Sequence, residues 1–239
     1  ACAVASAAVD ALGLVGDRRF LVVDEAGRFL TQRTLPRMAR VAAALSDDTL
    51  TLSAEGAGAL RVPRAANPSA PLRSVAVWKS EGLQAEDCGD DAARWLGDFI
   101  GVKCRLVRIG AAFQRPILKP DVARPGDVVS FADSDPFLVI SEASLDDLNA
   151  RLAAQGHAAL PMNRFRPSLV IAGCPAFAED GWARLKIGDM VFRAAGPCSR
   201  CVITTTDQFT GERGKEPLRL LATYRRDPAD PTSVNFGWN

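Results

Sequence analysis

The chain has 239 residues, enough for one large core or two smaller ones. Its 29 basic and 28 acidic residues leave a net charge of +1 with no dense basic tract. Aromatics are only 7% of the total, so nucleic acid is a poorly supported partner. No run of about 18 apolar residues is available to span a membrane as a helix, and six cysteines in this length do not make a disulfide scaffold.

The opening stretch, residues 1–9, is small and apolar, but it lacks a basic flank and is short for a signal peptide. With Cys2, Cys88, Cys104, Cys174, Cys198 and Cys201 read as thiols, a reducing cytoplasm is the expected setting. Residues 20–24 and 29–32 flank Gly27 and predict a β-hairpin. Short strands follow at 41–45, 49–53, 59–62 and 72–78, a spacing that suits a small barrel or sandwich. One helix interrupts them at 90–100, where Ala93, Leu96 and Ile100 share a face and Gly101 stops the run.

Three prolines and a glycine in residues 116–126 mark a connector. The predicted division is 1–118 and 119–239. In the second part a strand at 137–140 leads into a helix capped by Ser141, with Leu145, Leu148 and Leu152 on one face and Gly156 at its end. Strands are expected at 169–172, 183–187, 190–193 and 202–206, with Gly188-Asp189 as a hairpin turn and a late helix at 215–226. The fold class read from these elements is α+β, mainly β: two β-barrel-like domains with a few peripheral helices.

The pair Cys198-Ser199-Arg200-Cys201 is the most pointed chemical signal. It follows a Gly196-Pro197 turn and precedes five β-branched residues, so the helix dipole that activates a thioredoxin-like thiol is not expected. A structural zinc site needs four ligands, but there is no second C-x-x-C and His157 is the only histidine. Two readings stay open: one thiolate acting as a lone metal ligand beside Arg200, or a pair of inert half-buried thiols. His157 itself falls just past the Ser141 helix and reads as a capping or surface residue.

Polar clusters recur next to strands at Thr31-Gln32-Arg33, Asp133-Ser134-Asp135, Asn163 to Ser168 and Ser199-Arg200-Cys201. Taken with Gly13 to Phe20, Pro36-Arg37-Met38, Ser134 to Leu145, Thr205-Thr206-Asp207 and Lys215 to Leu218, they resemble MOSC proteins with an N-terminal MOSC β-barrel domain. Within that family the likeness is to the amidoxime-reducing components and bacterial YcbX-type proteins, and it runs from about Leu14 to Gly237.

The resemblance implies a molybdenum–pterin enzyme. Cys201 matches the family's molybdenum ligand, and a soft thiolate suits that role; Cys198 matches a less essential position. Arg33, Ser134, Asn163, Arg166, Ser168, Ser199 and Arg200 match cofactor-binding positions, and their donors suit phosphate and pterin groups. Asp133 and Asp135 match positions lining the substrate mouth, where two readings stand equal: one of them relays a proton, or they hold the turn together. The implied reaction is reduction of hydroxylamines, amidoximes and N-hydroxylated base analogues. No Gly-x-Gly-x-x-Gly or iron–sulfur motif is present, so electrons would come from a separate reductase or ferredoxin. The alternative is a carrier or binding module for the cofactor or for sulfur. Two departures stand out: the family's cofactor-binding lysine segment would precede Ala1, and further closing strands would follow Asn239.

Overall fold

The computed structural model describes residues 4, 6–119 and 122–239. Ala1, Cys2, Ala3 and Ala5 of the opening stretch, and Pro120 and Asp121 of the connector, lie outside the described residues. Two compact units are present. The N-terminal unit takes the described residues up to Pro136 together with Phe209–Gly211; the C-terminal unit takes Phe137–Gln208 and Glu212–Asn239. The fold is mostly β, with fifteen strands and three α-helices among the described residues, in the class the sequence implied.

The N-terminal unit opens with a two-rung hairpin of β1 (Val9–Asp10) and β2 (Gly13–Leu14). After β3 (Phe20–Val23) come β4 (Ala42–Leu45), β5 (Thr49–Ala54) and β6 (Gly58–Pro63), which form an antiparallel meander. Next come β7 (Leu72–Val77), β8 (Ser80–Asp87), α1 (Asp90–Ile100) and β9 (Arg105–Arg108), and the main sheet has the order β3-β9-β8-β7.

Helix α1 forms where expected. Asp90 and Asp91 in its first turn complement the helix dipole, and Gly101 ends it in the left-handed conformation at φ +87°. Its Leu96, Phe99 and Ile100 pack on Leu50, Leu52 and Val62, the inward positions of β5 and β6. Each such side chain stabilises the unit by about 1.5–3 kcal/mol on burial.

One expectation in this unit needs correction, and two of its strands were not foreseen. The turn at Gly27 forms, with the Asp24 amide donating to the Arg28 carbonyl at 2.8 Å, but residues 29–32 make no second strand. Only isolated bridges form there, because the Arg33 amide donates to the Thr31 hydroxyl and the Leu35 amide to the Thr31 carbonyl, which turns the chain away. Strands β8 and β9 carry too many charges to read as buried strands. Glu86 sits directly across from Arg108, and the two buried charges neutralise one another.

In the C-terminal unit, β10 (Val139–Ser141) leads straight into α2 (Glu142–Ala154) and pairs in parallel with β11 (Leu169–Ile171). The Ser141 hydroxyl caps α2 by accepting the Ser144 amide at 3.1 Å. A separate hairpin, β12 (Arg184–Ile187) and β13 (Met190–Arg193), turns at Gly188-Asp189 as expected. Then come β14 (Pro197–Ser199), α3 (Leu218–Tyr224) and β15 (Asn235–Trp238), giving a sheet ordered β11-β10-β15-β14. Its core joins Ile140, Leu148, Leu152, Phe165, Leu221 and Phe236. The late helix is shorter than predicted.

Residues 202–206 are not a strand. Val202–Thr205 is one turn of 3₁₀ helix with Cys201 at its head. Thr204 and Thr205 donate their hydroxyls to the carbonyls of Cys201 and Val202, at 3.0 and 2.8 Å. Those local bonds supply what a strand ladder would, and they override β-branched propensity.

Candidate functional site

The strand that delivers the cysteine pair is irregular for a definite reason. β14 pairs with β15 as Pro197 to Trp238 and Ser199 to Asn235, so two residues of β15 lie opposite Cys198. Gly237 takes the extra position at φ +82°, where a Cβ would come within 2.6 Å of Ile140 Cγ1 and 2.8 Å of the Val139 carbonyl. Only glycine fits. The bulge bends β15 opposite Cys198, beside the end of β14 that runs on into Arg200 and Cys201.

Arg200 donates from Nη1 to Cys198 Sγ at 3.0 Å and from Nη2 to the Phe165 carbonyl at 2.7 Å. Its guanidinium also lies 5.6 Å from the centre of the buried Phe165 ring. The guanidinium thus rests on the first thiol of the pair, while Cys201 heads the 3₁₀ turn half-exposed. Ser199 exchanges a hydroxyl hydrogen bond with Ser233 at 2.6 Å.

Sequence reasoning passed over Arg164. It is 9% exposed, donates to the Thr204 carbonyl at 3.4 Å and pairs with Asp207 at 2.9 Å, so it buttresses the turn that Cys201 heads. Its neighbour Arg166 is exposed and left-handed at φ +56°, and Ser168 accepts the Leu138 amide at 3.3 Å. No local signal marked it, because the partners that draw Arg164 inward lie some forty residues on.

Four buried side-chain atoms around this turn have no hydrogen-bond partner: Arg164 Nε, Arg200 Nε, Asn163 Oδ1 and Thr206 Oγ1. They are four of nine such atoms among the described residues. Buried polar atoms are normally paired, so these four are donors and acceptors that the chain itself leaves for water or another group. Among the described residues, no group of three or more His, Cys, Asp or Glu is positioned to hold a metal ion.

The N-terminal unit holds the other predicted residues. Arg33 pairs with Asp133 at 2.7 Å and stacks on Trp78 at 4.7 Å, and the Trp78 indole donates to Asp133 at 3.2 Å. Asp135 accepts from Lys119 at 2.5 Å and from the Ser134 hydroxyl at 2.7 Å, which leaves its side chain 6% exposed. Behind them the buried Arg115 donates to the Ser130 carbonyl at 2.8 Å and to Ala132, which fixes the approach to Asp133. Of the other thiols, burial pushes Cys88 up to about 12 and raises Cys104 as well, so neither is a ready thiolate.

A chain with this domain order and this cysteine turn belongs to the MOSC proteins. The MOSC N-terminal beta barrel domain matches residues 1–103 and the MOSC domain residues 126–239. Within that family it belongs with the amidoxime-reducing components. It is 39% identical to mitochondrial amidoxime-reducing component 1 of Mus musculus and 37% identical to that of Homo sapiens; both alignments cover 95% of this chain and 68% of the relative. Mitochondrial amidoxime reducing component 2 of Bos taurus is 36% identical over 95% of this chain and 69% of its own length.

Proposed function

We propose that this protein binds a molybdenum–pterin cofactor through Cys201 and reduces N-hydroxylated small molecules. The carrying observation is the set of unpaired buried polar atoms around Cys201. A molybdenum centre that brings its own dithiolene and oxo ligands asks the protein for one thiolate and for donors to its phosphate and pterin groups, which is what this turn offers. The Cys201 Sγ would be the ligand, Arg164 and Arg200 would donate, and Arg166, Asn163, Ser168 and Ser199 would complete the set. Arg33 and Ser134 are assigned to the cofactor on the resemblance alone. When bound, such a cofactor supplies two-electron transfer to an N–O group.

The chain's own part is to hold the ligand thiolate, orient the anionic groups and supply protons. Asp133, with 59% of its side chain exposed, is better placed to meet a substrate than Asp135 at 6%. Asp133 is therefore the proposed proton relay, and Asp135 holds the turn together. Electrons would come from a separate carrier protein. Five described cysteines are free thiols, which suits a reducing compartment such as the cytoplasm. The relatives are named mitochondrial, and no described helix is long and apolar enough to cross a membrane.

The test is molybdenum content and pterin fluorescence on protein made in a cofactor-competent host, followed by turnover of a hydroxylamine with an artificial electron donor. Stoichiometric molybdenum with turnover supports the reading. Molybdenum without turnover would favour a carrier, and the absence of both molybdenum and turnover would overturn both readings.

A further inference from the structure

Arg115 is buried, at 4% exposure, and among the described residues no carboxylate lies within ion-pair distance of it. Its Nε donates to the Ser80 hydroxyl at 3.2 Å, its Nη1 to the Ser130 carbonyl at 2.8 Å and to that of Ala132, and its Nη2 to the Asp133 carbonyl at 3.4 Å. All four acceptors are neutral. A guanidinium carries five N–H donors, so one N–H of Nη2 is left over. Burial pulls the guanidinium below its ordinary pKa, and the Asp133 charge offsets only part of that. Buried charges are normally paired.

Arg115 lines a pocket of about 390 Å³ in the N-terminal unit, and so does Lys79. Lys79 lies in the two-residue turn between β7 and β8, is exposed, and likewise has no ion pair among the described residues. The lining charges that remain are already spent: Arg33 holds Asp133 at 2.7 Å, and Lys119 holds Asp135 at 2.5 Å. Ser134 gives its hydroxyl to Asp135 at 2.7 Å. Two cations are therefore left without a counter-ion. The rest of the wall is apolar, from Ile117, Leu118 and Val129, with the Trp78 ring held edge-on to Phe29 at 5.0 Å. A pocket of this volume suits a small organic molecule.

We infer that this pocket binds a small organic monocarboxylate, whose carboxylate meets Lys79 and the spare Nη2 N–H of Arg115 and whose apolar body lies on Ile117, Leu118 and Val129. An inorganic anion would satisfy the two cations and leave the apolar wall uncovered. A neutral ligand would do the reverse. The inference stands apart from the reduction reading, because no group offered to the carboxylate is assigned above to cofactor or substrate.

The experiment follows the Trp78 indole N–H by heteronuclear NMR, its signal assigned with Trp78→Phe. Benzoate, its neutral analogue benzamide, or inorganic phosphate is titrated into the full chain. Charge-assisted hydrogen bonds are about twice as strong as neutral ones, so benzoate should shift the signal and bind about tenfold tighter than benzamide. Phosphate should bind more weakly than benzoate. Lys79→Gln should weaken benzoate about twofold to fivefold, the worth of an exposed ion pair, and Lys79→Arg should keep it. Leu118 is 61% exposed, so changes there spare the fold. Leu118→Glu sets a carboxylate against the ligand and should weaken benzoate more than about fivefold, against less than about threefold for Leu118→Gln. Equal affinity for benzoate and benzamide, an indole signal that benzoate does not move, or benzoate binding untouched by Lys79→Gln and Leu118→Glu would overturn the inference. Phosphate binding tighter than benzoate would also overturn it, in favour of a phosphate group.

Discussion

The far end of β8 and the turn headed by Cys201 both bury arginine beside strand ends, and they treat it in opposite ways. Arg108, 4% exposed, donates from Nε and Nη2 to Glu86 and from Nη1 to the Pro63 carbonyl, and Glu86 also accepts the Asn67 amide at 2.7 Å. Next to it Asp87 is held by Arg73, by Arg105 at 2.6 Å and by the Gly89 amide at 2.8 Å. At the Cys201 turn, Arg164 and Arg200 spend only their terminal nitrogens and leave Nε unpaired. An unpaired buried polar atom costs about 1–3 kcal/mol. The first network is closed by the chain's own groups, whereas the second leaves Nε of both arginines without a partner from the chain, which is the feature the proposed cofactor role rests on.

The sharpest way to break that contrast is at the open site. Cys201→Ser should reduce molybdenum content below about a tenth of wild type and abolish reduction, while thermal unfolding shifts by only a few degrees. Cys198→Ser should keep substantial activity, because serine still offers Arg200 an acceptor where the thiol sat at 3.0 Å. A dead Cys198→Ser beside an active Cys201→Ser would reverse the ligand assignment.

At the closed site the effect falls on stability. Arg108→Met strands the Glu86 carboxylate in the interior, and breaking a buried pair in this way costs about 3–5 kcal/mol. Glu86→Gln combined with Arg108→Met should cost less than the two single changes added together, since the pair acts as a unit. Additive losses in denaturant unfolding would count against the pair as a staple.

A smaller effect tests Asp87. Burial opposes its ionisation, but hydrogen bonds from Arg105, Arg73 and Gly89 outweigh burial and hold the carboxyl below its ordinary value of 3.8. A lowered folded value means stability that is fully present above about pH 5 and lost as the pH falls through and below 3.8. Asp87→Asn should therefore cost about 1.5–3 kcal/mol at neutral pH. The gap from wild type should close on acidification below about pH 4. A gap independent of pH would show that the arginines bind the side chain's shape and not its charge.

The two regions also differ in how readable they were. Helix α1 and the Ser141 cap of α2 were legible because apolar spacing and end residues are local signals. The Cys201 turn was misread as structure. Five β-branched residues argued for a strand, and nothing local announced that two threonine hydroxyls would bond back onto the chain. β8 was missed because Glu86 and Asp87 read as surface residues until arginines about twenty positions away close over them. Arg164 was hidden in the same way, since its partners Thr204 and Asp207 lie some forty residues on. Partners distant in sequence decide which charges go inside, and one chain read in order does not show them.

The smallest expected effect concerns His157, the chain's only histidine. Its backbone amide donates to the Leu152 carbonyl at 2.9 Å and, with the Gly156 amide on Ala153, closes the end of α2. Its Nε2 lies 3.0 Å from Arg219 Nη2 and 3.9 Å from Glu216. Because arginine only donates, Nε2 must accept in that contact. The ring is therefore engaged with Arg219 of α3 and lies near Glu216. The main-chain bonds do not need the side chain, so His157→Ala should change stability by no more than about 0.5 kcal/mol. The pH–rate profile of reduction should keep both limbs, since proton delivery is assigned to a carboxylate or to water. Loss of a limb near pH 6–7, the ordinary imidazole range, would move the proton donor from Asp133 to this histidine.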